Sequence, residues 1–157
     1  MSLHFLNSPA LNELNGLKSF AKSDFDAFDR DVLTVARHLF ECHQYPETQA
    51  WKFAFRHAEL AFPPPFGATI AHAVSAMVDA LSAVRSRTFA YLPVHHLQAG
   101  EAMTQEENYL LLTLHDIRTH RATRARTHAM LLCEGGDCDR LLFVARSIAI
   151  ITGEVDA

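Results

Sequence analysis

The stretch from residue 68 to residue 87 constrains the fold of this chain most strongly. Its residues sort into three lines at helical spacing. An α-helix that is apolar on most of its circumference is normally buried among other helices, and a row of alanines lets a neighbouring helix approach closely. The sequence therefore predicts a buried central helix over about 68–87. The apolar line is Ile70, Val74, Met77, Leu81 and Val84, the small line is Ala73, Ala76, Ala80 and Ala83, and the polar line is Thr69, His72, Ser75, Asp79 and Ser82.

Helical periodicity also dominates the rest of the chain, and no strand-like alternation is evident. Caps and prolines mark where helices begin and end. We predict one all-α domain over residues 1–157, built as a bundle of five to seven helices. The other helices are one that begins at Ser8-Pro9, one from near Ser23-Asp24 to Tyr45-Pro46, one that stops at Pro63-Pro64-Pro65, one opened by the capping box Thr104 to Glu107, and a last one capped by Asp137 and closed by Gly153.

Two segments between helices are less regular. Residues 88–103 form a loop longer than most, and such loops are often functional or mobile. The sequence leaves open whether the helix after residue 104 is continuous or broken at 118–123. The helical pattern resumes at Ala122 and ends at Gly135-Gly136, which is a typical C-terminal signal.

Composition limits the class of protein. A chain of 157 residues with 49% hydrophobic residues is neither disordered nor collagen-like. Its net charge of −4 argues against a large nucleic-acid-binding face, which makes a nucleic-acid partner improbable without excluding it. Three cysteines do not make a disulfide framework, no secretory signal is visible, and prolines interrupt the longest uncharged stretch, residues 60–78. We expect a soluble cytoplasmic protein without a membrane partner.

Ten histidines raise the question of a metal site. Metal-binding bundles use spacings such as Glu-x-x-His, and neither this nor His-x-x-x-His occurs. His38 and Cys42 are spaced to share a helix face, but Cys133 and Cys138 lack the Cys-x-x-Cys spacing of a structural zinc site. We therefore predict no metal and no cofactor.

Two pairs of polar residues are candidates for a pocket. His95 and His96 lie in the long loop, where they could act as ligands or proton carriers. His72 and Asp79 lie two turns apart on the polar line of the central helix. No serine or cysteine nucleophile accompanies the loop pair, so the sequence predicts no catalytic residues and leans away from an enzyme.

The arginine segment, which we define as Arg118, Arg121, Arg124 and Arg126, is the strongest local charge feature. The first three share roughly one face if residues 118–126 are helical. They could pair with acidic neighbours such as Asp116, or dock an acidic partner or anion.

From these features we predict a non-catalytic helical binding protein, regulatory or adaptor in role, that docks a protein partner or anion through the arginine segment. A homodimer is compatible with this interpretation. One alternative is a helical DNA-binding transcriptional regulator, although residues 122–134 offer no amide side chains to read bases. A second alternative is a metal-binding or cofactor-binding protein that uses histidine and cysteine.

Overall fold

A computed structural model describes residues 16–157 of the chain. Within these residues the predicted all-α bundle is confirmed, and a pair of two-residue strands is the only sheet. The first predicted helix, at Ser8-Pro9, lies outside the described residues. The elements are β1 (Lys18–Ser19), α1 (Ala27–Gln44), α2 (Trp51–Ala61), α3 (Gly67–Val84), β2 (Ala102–Met103), α4 (Gln105–Arg118), α5 (Ala122–Leu132) and α6 (Asp139–Ile151), with single 3-10 turns at Phe20–Lys22 and Pro46–Thr48.

Helix α1 begins at a capping box. The side chain of Asp26 accepts a hydrogen bond from the Asp29 backbone N–H at 2.9 Å, and Asp29 accepts one from Asp26 N–H at 3.2 Å. The helix thus starts slightly later than the predicted Ser23-Asp24. It ends at Gln44, before Tyr45-Pro46 as predicted, because proline lacks the N–H that a continuing helix requires.

Helix α3 packs against α1, α2 and α6, as expected for the central helix of the bundle. Gly67 starts it where α2 passes so closely that a Cβ atom would lie 2.7 Å from the Ala58 carbonyl oxygen. The helix ends at Val84, so residues 85–87 lie beyond it, and Ala83 is exposed. By length and composition α3 could also cross a membrane, but a core helix of a soluble protein meets the same criteria, and 44% of α3 is buried within the fold.

The helix after residue 104 is broken, which answers the question that the sequence left open. Thr104 and Glu107 form the predicted capping box of α4. The break comes at His120, which adopts a left-handed backbone conformation (φ 61°), and Arg121 N–H then donates to the Asp116 carbonyl at 2.6 Å. Helix α5 therefore starts in a new direction at Ala122, and Arg118 belongs to a different helix from Arg124.

Helix α6 begins one residue later than its predicted cap implies. Cys138 occupies the cap position, and Asp137 instead accepts a hydrogen bond from the Asp139 backbone N–H at 2.9 Å. Gly153 follows the helix with φ 74°, the conformation that the sequence predicted for a closing glycine.

Buried side chains form one large apolar cluster among the six helices and a smaller one beside it. The smaller cluster joins residues 17–25, which we call the N-terminal segment, to α1, α4 and β2, and its residues are Phe20, Phe25, Leu33, Met103 and Leu111. Strand β1 pairs antiparallel with β2, Lys18 opposite Met103, which holds the same segment against the end of the long loop.

Candidate functional site

Arg118 lies at the C-terminal end of α4 and is buried. Its guanidinium donates hydrogen bonds to three carboxylates: Asp26 at 2.9 and 3.1 Å, Asp29 at 2.6 Å and Glu154 at 2.9 Å. It also lies over the Phe28 ring, 4.4 Å from the centroid. These contacts tie α4 to the start of α1 and to the C-terminal tail, so Arg118 is a structural residue and not part of an exposed binding face.

Arg121 and Arg124 lie near one buried carboxylate. The Asp116 side chain is fully buried, with Arg121 Nη1 at 4.0 Å, Arg124 Nε at 3.8 Å and His128 Nδ1 at 3.1 Å from its oxygen atoms. None of these three contacts has hydrogen-bond geometry, and the Asp116 oxygens have no other hydrogen-bond partner among the described residues. The arginine side chains are 50% and 57% exposed, so the carboxylate holds them nearby while their outer donors remain accessible.

These two arginines line a cavity of about 500 Å³ between the N-terminal segment and α4–α5, which we call the cationic cavity. Lys18 and Lys22 line it from the N-terminal segment. The cationic residues therefore come from two separate parts of the chain and surround one volume. Its other lining residues include Phe25, Met103, Leu112, Asn108, His115, Asp24 and Asp116.

The predicted common face of the arginine segment does not exist. Arg126 lies apart from the other three, and its Nη1 donates to Asp139 at 3.1 Å and to the Cys138 sulfur at 3.8 Å. Because the helix breaks between Arg118 and Arg124, the premise of one continuous helix is not met. Of the four arginines, only Arg121 and Arg124 line the cationic cavity.

The four pocket candidates do not come together. His72 is exposed on α3 and meets the Phe55 ring edge-on at 4.9 Å between centroids. Asp79 lines a different, shallow groove beside Trp51. In the long loop, His95 is exposed, while His96 Nδ1 accepts a hydrogen bond from Gln98 N–H at 3.1 Å. None of the four lines the cationic cavity.

Burial favours the neutral forms of His38 and Cys133. Burial lowers the pKa of His38 to about 4, with smaller contributions from the neighbouring His57 and His95. Burial also raises the pKa of the Cys133 thiol to about 11, so it stays protonated at neutral pH. Among residues 16–157, no group of three or more histidine, cysteine or acidic side chains could hold a metal ion.

A second buried arginine, Arg37, fixes the long loop and was missed by the sequence reasoning. Its Nε and Nη2 donate to the two oxygens of Glu107 at 2.8 and 2.9 Å, and its other donors reach the carbonyls of Ala99 and Ala102. Glu107 also accepts from the Leu92 and Thr104 backbone N–H groups at 2.9 Å. The one available signal was the spacing of Arg37, four residues after Leu33 and three before Phe40, which places it on the buried side of α1.

Comparison with known protein families, with curated proteins and with solved structures finds no match to this chain.

Proposed function

We propose that this chain is a non-catalytic binding protein that recognises an anionic group in the cationic cavity. The observation that carries the proposal is the position of Arg121 and Arg124. Both are half-exposed, both are held near the buried Asp116, and both line the same cavity as Lys18 and Lys22. Guanidinium groups bind carboxylates and phosphates through paired hydrogen bonds, which suits such a site to oxyanions.

The shape of the cavity favours a group that enters it over a flat surface contact. A volume of about 500 Å³ falls within the range of ordinary ligand pockets. Phe25, Met103 and Leu112 add apolar walls beside the cationic side chains. The ligand chemistry is therefore an oxyanion on an apolar body. A small organic acid has this chemistry, and so does an acidic segment of a protein, to which the predicted regulatory or adaptor role corresponds.

The alternative of a DNA-binding regulator has weaker support. Helices α4 and α5 are joined by a short turn, as in helix-turn-helix proteins. However, Arg118 is buried and forms ion pairs with three carboxylates, and Arg126 forms one with Asp139. Contacts to a DNA backbone require several cations that face one outer surface, and this segment does not offer such a set.

Replacement of both cavity arginines tests the proposal. We expect a variant with Arg121→Gln and Arg124→Gln to lose affinity for an anionic probe by about tenfold or more, because two charged donors are removed. The probes are inorganic phosphate and a hexaglutamate peptide, titrated by calorimetry at low and high salt. Phosphate binding identifies a small-molecule site, and peptide binding alone identifies a protein-docking site.

The matched control is the pair Arg56→Gln and Arg140→Gln. These arginines are exposed on α2 and α6, and the double change alters the net charge equally. We expect the control to bind as the wild type does. Equal binding by both double variants, or no binding of either probe by the wild type, contradicts the proposal.

A further inference from the structure

We propose that the cationic cavity binds its anion together with a proton, and that His115 takes up this proton. The inference rests on the proposed function, because it concerns the same cavity. Of the described residues that line the cavity, His115 is the only histidine. Histidine is the side chain whose charge ordinarily changes near neutral pH, whereas lysine and arginine stay charged there.

One ring nitrogen of His115 is held by a buried carboxylate. Its Nδ1 lies 2.8 Å from Asp29 Oδ2, and the Asp29 side chain is fully buried. Asp29 also accepts a hydrogen bond from Arg118 Nη1 at 2.6 Å and one from Asp26 N–H at 3.2 Å. A carboxylate in an ion pair with arginine only accepts hydrogen bonds, so Nδ1 carries a proton in both the neutral and the charged form of the ring.

The other ring nitrogen of His115 is accessible. Its Nε2 has no hydrogen bond to a described residue and is not fully buried, and 15% of the side chain is exposed. The Phe25 ring, which also lines the cavity, meets the imidazole edge-on with centroids 5.7 Å apart. Asp29 and Phe25 thus fix the orientation of the ring and leave Nε2 as the nitrogen that a ligand can contact.

The charge of the ring decides whether Nε2 can bind an anion. In the neutral ring Nε2 has a lone pair and no proton, so it cannot donate to an oxyanion. In the charged ring Nε2 carries a proton and becomes a charged donor, like the Arg121 and Arg124 guanidinium groups of the same cavity. An anion therefore binds the charged form more tightly, and by linkage a bound anion draws a proton onto His115.

The charges around His115 make its protonation depend on the anion. Four cations line the same cavity and oppose a further positive charge on the ring, and a bound anion offsets this repulsion. Asp29 attracts the charged ring, but it also pairs with Arg118, and burial raises the pKa of Asp29 against the effect of Arg118 and His115. The charged and titratable groups around the ring are Asp26 and Asp29 at the start of α1, Lys18, Lys22 and Asp24 in the N-terminal segment, Asp116 and Arg118 in α4, and Arg121 and Arg124 at the start of α5.

Calorimetric titration of the wild type with sulfate and with the hexaglutamate peptide tests the coupling. Both anions are ionised between about pH 6 and about pH 8, so a proton taken up on binding goes to the protein. We expect the heats in two buffers of different ionisation enthalpy to show proton uptake, and the affinity to fall by about tenfold as the pH rises through this range at constant ionic strength. Binding without proton uptake overturns this inference alone, whereas no binding of any anion contradicts the proposed function as well.

Two histidine variants identify the group that takes up the proton. We expect His115→Asn to bind the anion with an affinity that no longer changes with pH and without proton uptake. The matched control is His128→Asn, because His128 lies 3.1 Å from Asp116 but does not line the cavity, and this variant should behave as the wild type does. Proton uptake that persists in His115→Asn, or that is lost in His128→Asn, overturns the proposal.

NMR of the wild type keeps the test decisive if His115→Asn does not fold. Long-range ¹H–¹⁵N spectra distinguish a ring nitrogen that carries a proton from one with a lone pair, and the His115 ring is assigned through its contact with the Phe25 ring. At about pH 8 we expect a proton on Nδ1 alone without sulfate, and on both nitrogens with saturating sulfate. Proton uptake without a new proton on Nε2 would place it on another group, such as Asp29, and overturn the proposal.

Discussion

Arg37 and Arg85 are two buried arginines that differ in how many hydrogen bonds their guanidinium groups donate. Arg37 donates four hydrogen bonds, two of them to Glu107, and joins α1 to the long loop and to α4. Arg85 donates one, to Leu132, its Nη2 forms an ion pair with Glu106 at 2.9 Å, and its Nε has no hydrogen-bond acceptor in the described part of the chain. Burial of a guanidinium thus does not by itself reveal its role. Arg37 joins three elements through hydrogen bonds, whereas Arg85 joins the end of α3 to α5 through one hydrogen bond and to α4 through its ion pair with Glu106.

The largest loss of stability is expected when the ion pair between Arg37 and Glu107 is broken. We expect Glu107→Gln to lower the free energy of unfolding by about 3–5 kcal/mol, because it leaves the Arg37 charge buried without its partner. Urea denaturation measures the change, and Glu47→Gln on the exposed 3-10 turn is the control. A loss below about 1 kcal/mol would show that the pair contributes no more than a surface ion pair.

Arg118, like Arg37, donates four hydrogen bonds from its guanidinium, but two of its carboxylate partners are more exposed than Glu107. We expect Arg118→Lys to destabilise the protein by about 2–4 kcal/mol, because one ammonium cannot donate to three carboxylates as the planar guanidinium does. The side chains of Asp26 and Glu154 are 52% and 35% exposed, so water partly replaces the lost bonds. Thermal and urea unfolding should agree on the loss, and wild-type stability in Arg118→Lys would contradict a structural role.

A smaller loss of stability is expected when Arg85 is replaced. We expect Arg85→Met to lower the free energy of unfolding by about 1–2 kcal/mol, because it removes one hydrogen bond and the ion pair with Glu106 but keeps most of the buried volume. Glu134 retains its bonds from Ser86 and Arg87, and Glu106 retains its bond from Ala90 N–H at 2.6 Å. A cost equal to that of Glu107→Gln, measured in the same urea series, would remove the contrast between the two arginines.

The smallest effect concerns pH. Burial raises the pKa of Asp26, but hydrogen bonds from Arg118 and from Asp29 N–H outweigh it and lower the pKa from 3.8 to about 2. Because the folded-state pKa is depressed, this group stabilises the fold above pH 3.8, and the contribution is lost as the pH falls through about 2.

We therefore expect Asp26→Asn to have a flatter stability profile than the wild type between pH 3.8 and about 2. Because the pKa of His38 is lowered, the free energy of unfolding should also decrease as the pH falls from 6.5 to about 4, and this decrease should appear in both proteins. Urea denaturation across both windows measures the profiles. Parallel profiles in the lower window would show that Arg118 does not depress the pKa of Asp26.

The helices could be predicted because their signals are local. The Thr104–Glu107 capping box, the prolines after Phe62 and the closing Gly153 each act within one turn of chain. The break after α4 gave no such signal. It falls at His120, which adopts the left-handed conformation that glycine usually occupies, and no glycine or proline lies nearby to mark the break.

The candidate sites could not be predicted in the same way. Charge patterns place arginine on surfaces, yet Arg37, Arg85 and Arg118 have side chains that are at most 7% exposed. Their partners are distant in the sequence: Arg37 and Glu107 are 70 residues apart, and Arg118 and Asp29 are 89 residues apart. The arginine segment was recognised as a feature, but only the tertiary structure separates the structural Arg118 from the accessible Arg121 and Arg124.

The bonds from Leu92 and Thr104 to Glu107 have a consequence for amide hydrogen exchange. Both N–H groups lie outside helices, where exchange with solvent is usually fast, yet each donates to a fully buried carboxylate. Exchange at Leu92 requires the loop to separate from α4, and exchange at Thr104 requires the capping box of α4 to open. These two amides should therefore exchange more slowly than the exposed amides of the long loop, and the exchange rate at Leu92 measures how often this loop opens from α4.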